Sequence, residues 1–397
     1  MARPLKLATH LPELGIETHV LAPDDPKWVH GDDELDVPPQ ARVHRARYLG
    51  PRGRLPAEEL HGLSGVDRTV RQAMLFSRRL LVPDEFVSWG LTAIPVARRI
   101  VREEGIDIVV TTSPPASVNL IGAAVSRLTG VPWVADLRDS VAANPDRRVD
   151  RLAVRAKEQG QALVARLVAR RAAAIVTVSE AISEEMRGLG AERVETIPNG
   201  SDFEDFEGLE YRRGDRFRIT HTGSFFGHRD PRPFLTALAG ADGDVVARFV
   251  GGLRAADREW AEGLGLGDRL EVIPYVPRRR ALELQRNSEA LLLLLPEAGG
   301  RGGRVPSGKI YEYLAAERPI LAAVPPSGVA AELVRQADAG VVVPPDDVDA
   351  LRAAISGLHA RWRAGALDGA ELSPELRERL SRRARSREFA DLLREVV

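Results

Sequence analysis

The chain contains no cysteine. Disulfides, thiol nucleophiles and Cys-ligated metals are therefore excluded. Lysine is almost as scarce, at positions 6, 27, 157 and 309 only, and arginine carries nearly all the positive charge. A lysine inside a motif is then more informative than it would be in a Lys-rich protein. No run approaches the ~18 apolar residues of a membrane span. The start, Met1-Ala2-Arg3-Pro4-Leu5-Lys6, lacks the apolar core of a signal peptide. Neither sign of charge dominates: 56 basic residues against 57 acidic leave a net charge of −1. That implies no bulk attraction to nucleic acid. No set of His and carboxylates has metal-ligand spacing, so no metal is expected. These absences predict a soluble, cytoplasmic protein without cofactor.

What is present is a full globular composition. The 397 residues are 44% hydrophobic, enough for two or three domains. Arg3 to Leu14 reads as a helix with Pro12 near its end, and Ile16 to Leu21 as a strand. A helix followed by a strand is the second part of a β-α-β unit, whose first strand is missing here. The expectation is a first domain without its N-terminal strand, poorly stable unless an upstream segment or another part of the chain fills the gap. Ala41 to Tyr48 is a weak strand, Gly50 to Gly65 a polar loop, and Val66 to Leu81 and Trp89 to Glu104 read as helices. Strands follow at Ile106 to Thr112, Gly130 to Asp136, Ala174 to Val178 and Val194 to Ile197, with helices between. Such alternation predicts a doubly wound parallel sheet. Ser179 is the candidate cap of the helix after the third of these strands.

Ligand groups in such sheets sit beyond the carboxyl ends of strands. Asp136, Arg138 and Asp139 fall at one such end. The competing reading is an Asp–Arg pair that merely holds the loop. Asp146 to Arg171 is a basic helix. Its arginines read as a solvated face, with peripheral membrane contact as the alternative.

Glu204 to Asp215 is charged and aperiodic and reads as a linker. A second strand–helix series follows. Its first strand ends in His221-Thr222-Gly223, where a glycine lets backbone approach a ligand. Arg229 is placed to reach a diphosphate, with Arg232 as competitor. Tyr275 lies in the turn Pro274-Tyr275-Val276-Pro277, and core packing is its plain reading. Glu375 to Val397 is a terminal helix with a break.

The most informative stretch is Val305-Pro306-Ser307-Gly308-Lys309-Ile310-Tyr311-Glu312-Tyr313-Leu314-Ala315-Ala316, after the apolar strand Leu291 to Leu295. Ser307 is a good N-cap. A helix opening on Ser-Gly-Lys offers free N–H groups, a positive dipole end and an ammonium, which together suit a phosphate. Glu312 lies one turn further along the face of Lys309, where a carboxylate can accept from ribose hydroxyls. The combination points to a nucleoside diphosphate pocket. The plain alternative is a strand–loop–helix unit with a surface Lys and Glu.

This stretch resembles the donor-binding segment of family 4 glycosyltransferases, in the branch with a Pro-Ser-Lys-like loop before Tyr-Glu-Tyr-Leu-Ala-Ala. Val178-Ser179-Glu180 and Ile197-Pro198-Asn199-Gly200 resemble landmarks that close the family's first domain. Glu312 matches the second of two family glutamates with seven residues between them, and Arg304 stands at the first. The resemblance implies the GT-B fold, with two Rossmann-like domains facing a cleft. It divides the chain at 1–203, the acceptor side; 204–215, the linker; 216–372, the NDP-sugar domain; and 373–397, a helix crossing back to the first domain. The two domains are expected to close about the linker. It implies retaining transfer from an NDP-sugar to a glycan, lipid-linked or small-molecule acceptor, in the cytoplasm or at the inner membrane face. Lys309, Arg229 and Asp139 are then the catalytic groups. Gly223, Ser307, Gly308, Glu312 and Tyr275 hold the donor, and Asp136 and Arg138 face the acceptor. Arg304 and the missing strand leave two alternatives: a non-catalytic sugar-nucleotide binder, or a sugar-nucleotide epimerase on the same fold. A dehydrogenase is disfavoured, because no Gly-x-Gly-x-x-Gly follows an early strand.

Overall fold

A computed structural model of the chain describes residues 2–24, 38–49, 81–141, 152–225, 229–297, 302–303 and 307–397. The expected loop at Gly50 to Gly65 and helix at Val66 to Leu81 lie outside these residues. The chain divides into two compact units, Met1–Pro198 with Ser386–Val397, and Asn199–Arg385.

In the first unit, helix α1 (Ala2–Glu13) contains Pro12 in its last turn; lacking an N–H, Pro12 forgoes one i→i−4 bond, and the helix stops one residue later. It leads into strand β1 (His19–Pro23), which pairs in parallel with β2 (Arg42–Ala46). After α2 (Gly90–Glu103), four parallel strands form a second sheet in the order β3-β4-β5-β6. These are β3 (Val109–Ser113), β4 (Trp133–Leu137), β5 (Ala174–Thr177) and β6 (Val194–Thr196). Helices α3 (Val118–Thr129), α4 (Leu152–Arg171) and α5 (Glu180–Gly188) connect them. β4 and β5 are buried along their whole length, as central parallel strands with both faces covered should be.

Among the described residues no strand joins β1 to β3, so each sheet ends in an open edge. The two sheets nevertheless share one core. Leu21 of β1 and Val109 of β3 pack on the same cluster, which holds Trp89, Ala93, Ile121 and Val125. The first unit thus has its described parallel strands in two sheets on one core.

The position expected of Ser179 is correct, but its hydroxyl makes no capping bond to α5. Its backbone is extended, and Thr177 Oγ1 donates to its carbonyl at 3.0 Å.

The second unit has six parallel strands in the order β12-β11-β10-β7-β8-β9. They are β7 (Phe217–Thr222), β8 (Val245–Val250), β9 (Leu270–Ile273), β10 (Ala290–Leu294), β11 (Ile320–Ala323) and β12 (Gly340–Val343). Helices α6 (Arg232–Ala239), α7 (Ala255–Gly263), α8 (Arg278–Arg286), α9 (Gly308–Ala315), α10 (Val329–Gln336) and α11 (Val348–Arg363) alternate with them. The inward faces of β10 and β11 split between two cores, Leu291, Leu293 and Ala322 on one side and Leu292, Leu294 and Leu321 on the other.

The segment read as a linker is stitched to the second unit. Phe203 and Phe206 are buried in its core with Tyr313 and Leu314. Arg212 N–H donates to Asn287 Oδ1 at 2.9 Å, and Arg318 stacks on the Tyr211 ring at 3.5 Å. Its charges make it aperiodic, yet Asp205 pairs with Arg278 at 2.6 Å and Asp215 with Arg218 at 2.6 Å. The unit boundary lies instead at Pro198–Asn199.

The terminal helix is broken, as expected, and the break lies between α12 (Pro374–Leu380) and α13 (Arg382–Val396). The cause is a backbone bridge. Ser381 is extended, and Ser201 N–H donates to Leu380 O at 2.8 Å while Arg382 N–H donates to Ser201 O at 2.9 Å. Beyond the break, Phe389, Ala390, Leu392 and Leu393 are buried in the first unit against Leu11, Val134 and Val176.

Candidate active site

Strand order in the second unit reverses between β7 and β10. Open α/β sheets take ligands at such a reversal, beyond the carboxyl ends of the strands. β7 runs into Gly223 there, and the chain after β10 returns at Ser307 to start α9.

Gly223 has φ +100, a conformation that glycine alone adopts readily. A Cβ on it would lie 2.9 Å from Lys309 Cε and 3.0 Å from Nζ. The same turn abuts Gly251, where a Cβ would lie 3.1 Å from Gly223 Cα. Two bare backbones at the ends of β7 and β8 therefore make the space that the lysine fills.

Ser307 is the N-cap of α9, with extended backbone, and its hydroxyl accepts from Lys309 N–H at 3.4 Å. Gly308 opens the helix, and a side chain there would meet no neighbour. Its contribution is a first-turn N–H rather than steric room. Tyr313, one helical turn on, anchors the helix to β7 by accepting from Thr222 N–H at 3.0 Å. Burial pushes its phenol up to about 12, so it stays protonated.

Lys309 is largely buried, and its Nζ lies 2.9 Å from Nε2 of His221, the penultimate residue of β7. Burial, then the charge of Arg229, lower its pKa to about 7, with Glu312 opposing. His221 is wholly buried, and burial followed by the charge of Lys309 holds it well below the ordinary imidazole value. Glu312 accepts from Gln285 Nε2 at 2.8 Å and lies 3.8 Å from Arg278. Gln285 also donates to Thr222 Oγ1 at 3.1 Å.

Arg229 and Arg232, equivalent in the sequence, are distinguished here. Arg232 pairs with the buried Asp257 at 3.0 Å and stacks over the Trp260 ring at 5.3 Å. Arg229 has a buried Nε that meets no hydrogen-bond partner among the described residues. Its charge is felt by both Lys309 and His221. It is the arginine still available for an anion. Tyr275 is 62% exposed in the turn after β9, so it is not a core residue. Arg304, Val305, Pro306 and His228 lie outside the described residues.

Asp136, Arg138 and Asp139 belong to the first unit, at the end of β4. Asp136 is buried and its carboxylate accepts from Arg3 Nε at 3.0 Å and from Thr112 Oγ1 at 2.8 Å. It anchors α1. Arg138 donates to Pro114 O at 2.8 Å, and burial lowers its pKa against the pull of Asp136 and Asp139. Asp139 is exposed. Among the described residues no cluster of three His, Asp or Glu could hold a metal ion.

Two family models together cover most of the chain. A glycosyl transferase 4-like domain matches residues 2–200, and glycosyl transferases group 1 matches residues 210–387. The chain belongs to the glycosyl transferase 4-like family. Solved structures agree on the fold of this glycosyltransferase. Sucrose-phosphate synthase of Thermosynechococcus elongatus aligns with TM-score 0.64 at 16% identity, over 98% of this chain and 92% of that one. HepE of Anabaena, in complex with UDP, aligns with TM-score 0.63 at 15% identity, over 99% and 96%. The lipopolysaccharide outer core galactosyltransferase WaaB aligns with TM-score 0.54 at 11% identity, over 96% and 100%. The architecture is therefore GT-B. No curated protein sequence matches the glycosyltransferase significantly.

Sequence reading missed His221, Gln285 and Arg278. The one signal for His221 was its place two residues before a strand-end glycine.

Proposed function

We propose that this glycosyltransferase moves a sugar from a nucleoside diphosphate sugar to a hydroxyl acceptor, with retention at the anomeric carbon. The observation that carries the reading is the convergence at the sheet reversal of the Gly223 turn, the first turn of α9, Lys309 and Arg229. All four favour negative charge on one side of one helix start.

In the reaction, the bond from the anomeric carbon to the diphosphate oxygen breaks and a bond to the acceptor oxygen forms on the same face. The acceptor's proton passes to the departing diphosphate. Charge therefore grows on the diphosphate in the transition state, and Lys309 and Arg229 are placed to stabilise it without a metal. Glu312, held by Gln285, is placed to take ribose hydroxyls. Tyr275, exposed in the turn after β9, is our candidate to stack on the base. Ser307 and Gly308 supply N–H groups to the phosphates, and the exposed Asp139 and Arg138 of the first unit serve the acceptor side. UDP-sugars are the first donors to try, because UDP occupies the HepE structure.

The test is release of nucleoside diphosphate from UDP-, GDP-, ADP- and dTDP-sugars with and without a panel of glycan and lipid-linked acceptors. Lys309→Ala should lower kcat by roughly 10²–10³, the effect of deleting one transition-state donor. Glu312→Ala should act on donor binding, raising KM by about tenfold or more at near-constant kcat. Wild-type rates in both variants would place the site elsewhere. The arginine at position 304, where the family has a glutamate, favours a second reading as a binder without transfer. Tight UDP binding with no release to any acceptor is its signature. Among the described residues no helix is long and apolar enough to cross a membrane. The proposed compartment is the cytoplasm or its membrane face.

A further inference from the structure

We propose that His221 is a positioning residue that holds the Lys309 ammonium against the Gly223 turn, and that the pair takes up one proton as a diphosphate binds. The inference rests on the donor-site reading above and extends it to a residue on the opposite wall.

His221 Nδ1 lies 2.9 Å from Leu292 O of β10, and a carbonyl can only accept, so Nδ1 carries the hydrogen. Nε2 then presents a lone pair to Lys309 Nζ at 2.9 Å. The ring is stacked on Phe225 at 4.7 Å and packed near Phe249 at 6.2 Å, so its orientation is fixed. A second ring proton would point at the ammonium inside a dry core, so the imidazole stays neutral and remains an acceptor. Glycine at 223 leaves the methylene end of Lys309 no other obstruction on that side. Three elements, β7, β10 and α9, thus cooperate to set one nitrogen.

Among the described residues, the groups facing Lys309 are His221 and Arg229 from the β7 side, with Glu312 on its own helix. Arg278 and Arg382 lie around Glu312 and share its charge. One carboxylate with its own arginine neighbours does not balance Lys309 and Arg229 together. Burial and Arg229 therefore leave Lys309 with a pKa of about 7 before a ligand arrives. A diphosphate supplies the missing negative charge, and the lysine becomes fully protonated. A lysine held this way favours the developing leaving group without a rearrangement of the site.

Calorimetric titration of the full chain with UDP at pH 8, in two buffers of different ionisation enthalpy, counts the proton. The terminal phosphate of UDP is already ionised at that pH, its second pKa being about 6. Expected are uptake near one proton in the wild type and none in Lys309→Arg, whose guanidinium is always charged. His221→Phe should bind UDP about tenfold or more weakly. His221→Gln, whose amide oxygen can accept from Nζ, should restore most of that loss, with both variants checked by melting temperature. Absence of uptake in the wild type, or wild-type affinity in His221→Phe, overturns the proposal. Inorganic pyrophosphate serves as a second probe. Pyrophosphate binding that His221→Phe weakens, when neither UDP, GDP, ADP nor dTDP binds, would retire the donor reading and keep the pair. No binding of any of these overturns both.

Discussion

Lys309 couples the site to the stability of the fold. Its pKa of about 7 lies far below the ordinary lysine value from which burial has moved it. Between pH 7 and about 10 the unfolded chain, with its lysine near 10.4, binds more protons at this position than the folded one. Stability from this group therefore rises with pH across that window, and it is flat below pH 7. His221, held low, adds the same sign lower down: stability falls as pH drops below the ordinary imidazole value. Ligand-free melts at pH 7, 8 and 9 should show the wild type gaining on Lys309→Met as pH rises. Parallel curves would mean that Lys309 is fully charged in the free protein. Much at this scale could be read beforehand. The Ser-Gly-Lys start names its own chemistry, and Gly223 declares a strand end. His221 could not be read, because it acts only through a residue 88 positions away. Nor could Arg229 be told from Arg232, since the difference is the buried Asp257 on another helix.

At the scale of elements, the open edges of the first unit have a consequence that hydrogen exchange can measure. Val109 N–H donates to Pro132 O, toward the β4 side, so by alternation the N–H groups of Val110 and Thr112 face the open edge of β3. Val110 is 38% exposed, unusual for a parallel strand. The amides of Val110 and Thr112 should exchange much faster than those of Val134 and Val176 in β4 and β5. Equal protection would show that another segment pairs with this edge. Helix–strand alternation made the two parallel-sheet units legible in the sequence. Boundaries were less legible. The stretch 204–215 reads as a linker because it is charged and aperiodic, whereas Phe203, Phe206, Tyr211 and Arg212 fasten its ends and middle to the second unit. Local charge pattern does not encode such distant partners.

At the scale of the whole chain, the two units are held by different parts of the sequence. The first unit takes its last twelve residues from the far end of the chain, Ser386–Val397. Phe389 is 1% exposed there and packs with Leu11, Val134 and Val176, residues of α1, β4 and β5. Phe389→Ala removes a large buried side chain, at a cost of roughly 3–5 kcal/mol. A domain's whole margin is about 5–15 kcal/mol, and among the described residues no strand joins the first unit's two sheets. The second unit contains Gly223, Lys309, Glu312 and Arg229 and owes nothing to Phe389. Scanning calorimetry should therefore show Phe389→Ala lowering one transition by several degrees while the other stays in place. UDP should raise the transition that the mutation leaves alone, because a ligand stabilises the unit that binds it. UDP affinity should survive in the variant, while transfer to an acceptor falls as the first unit melts. A single transition that moves as one under both mutation and ligand would show instead that the two units unfold together.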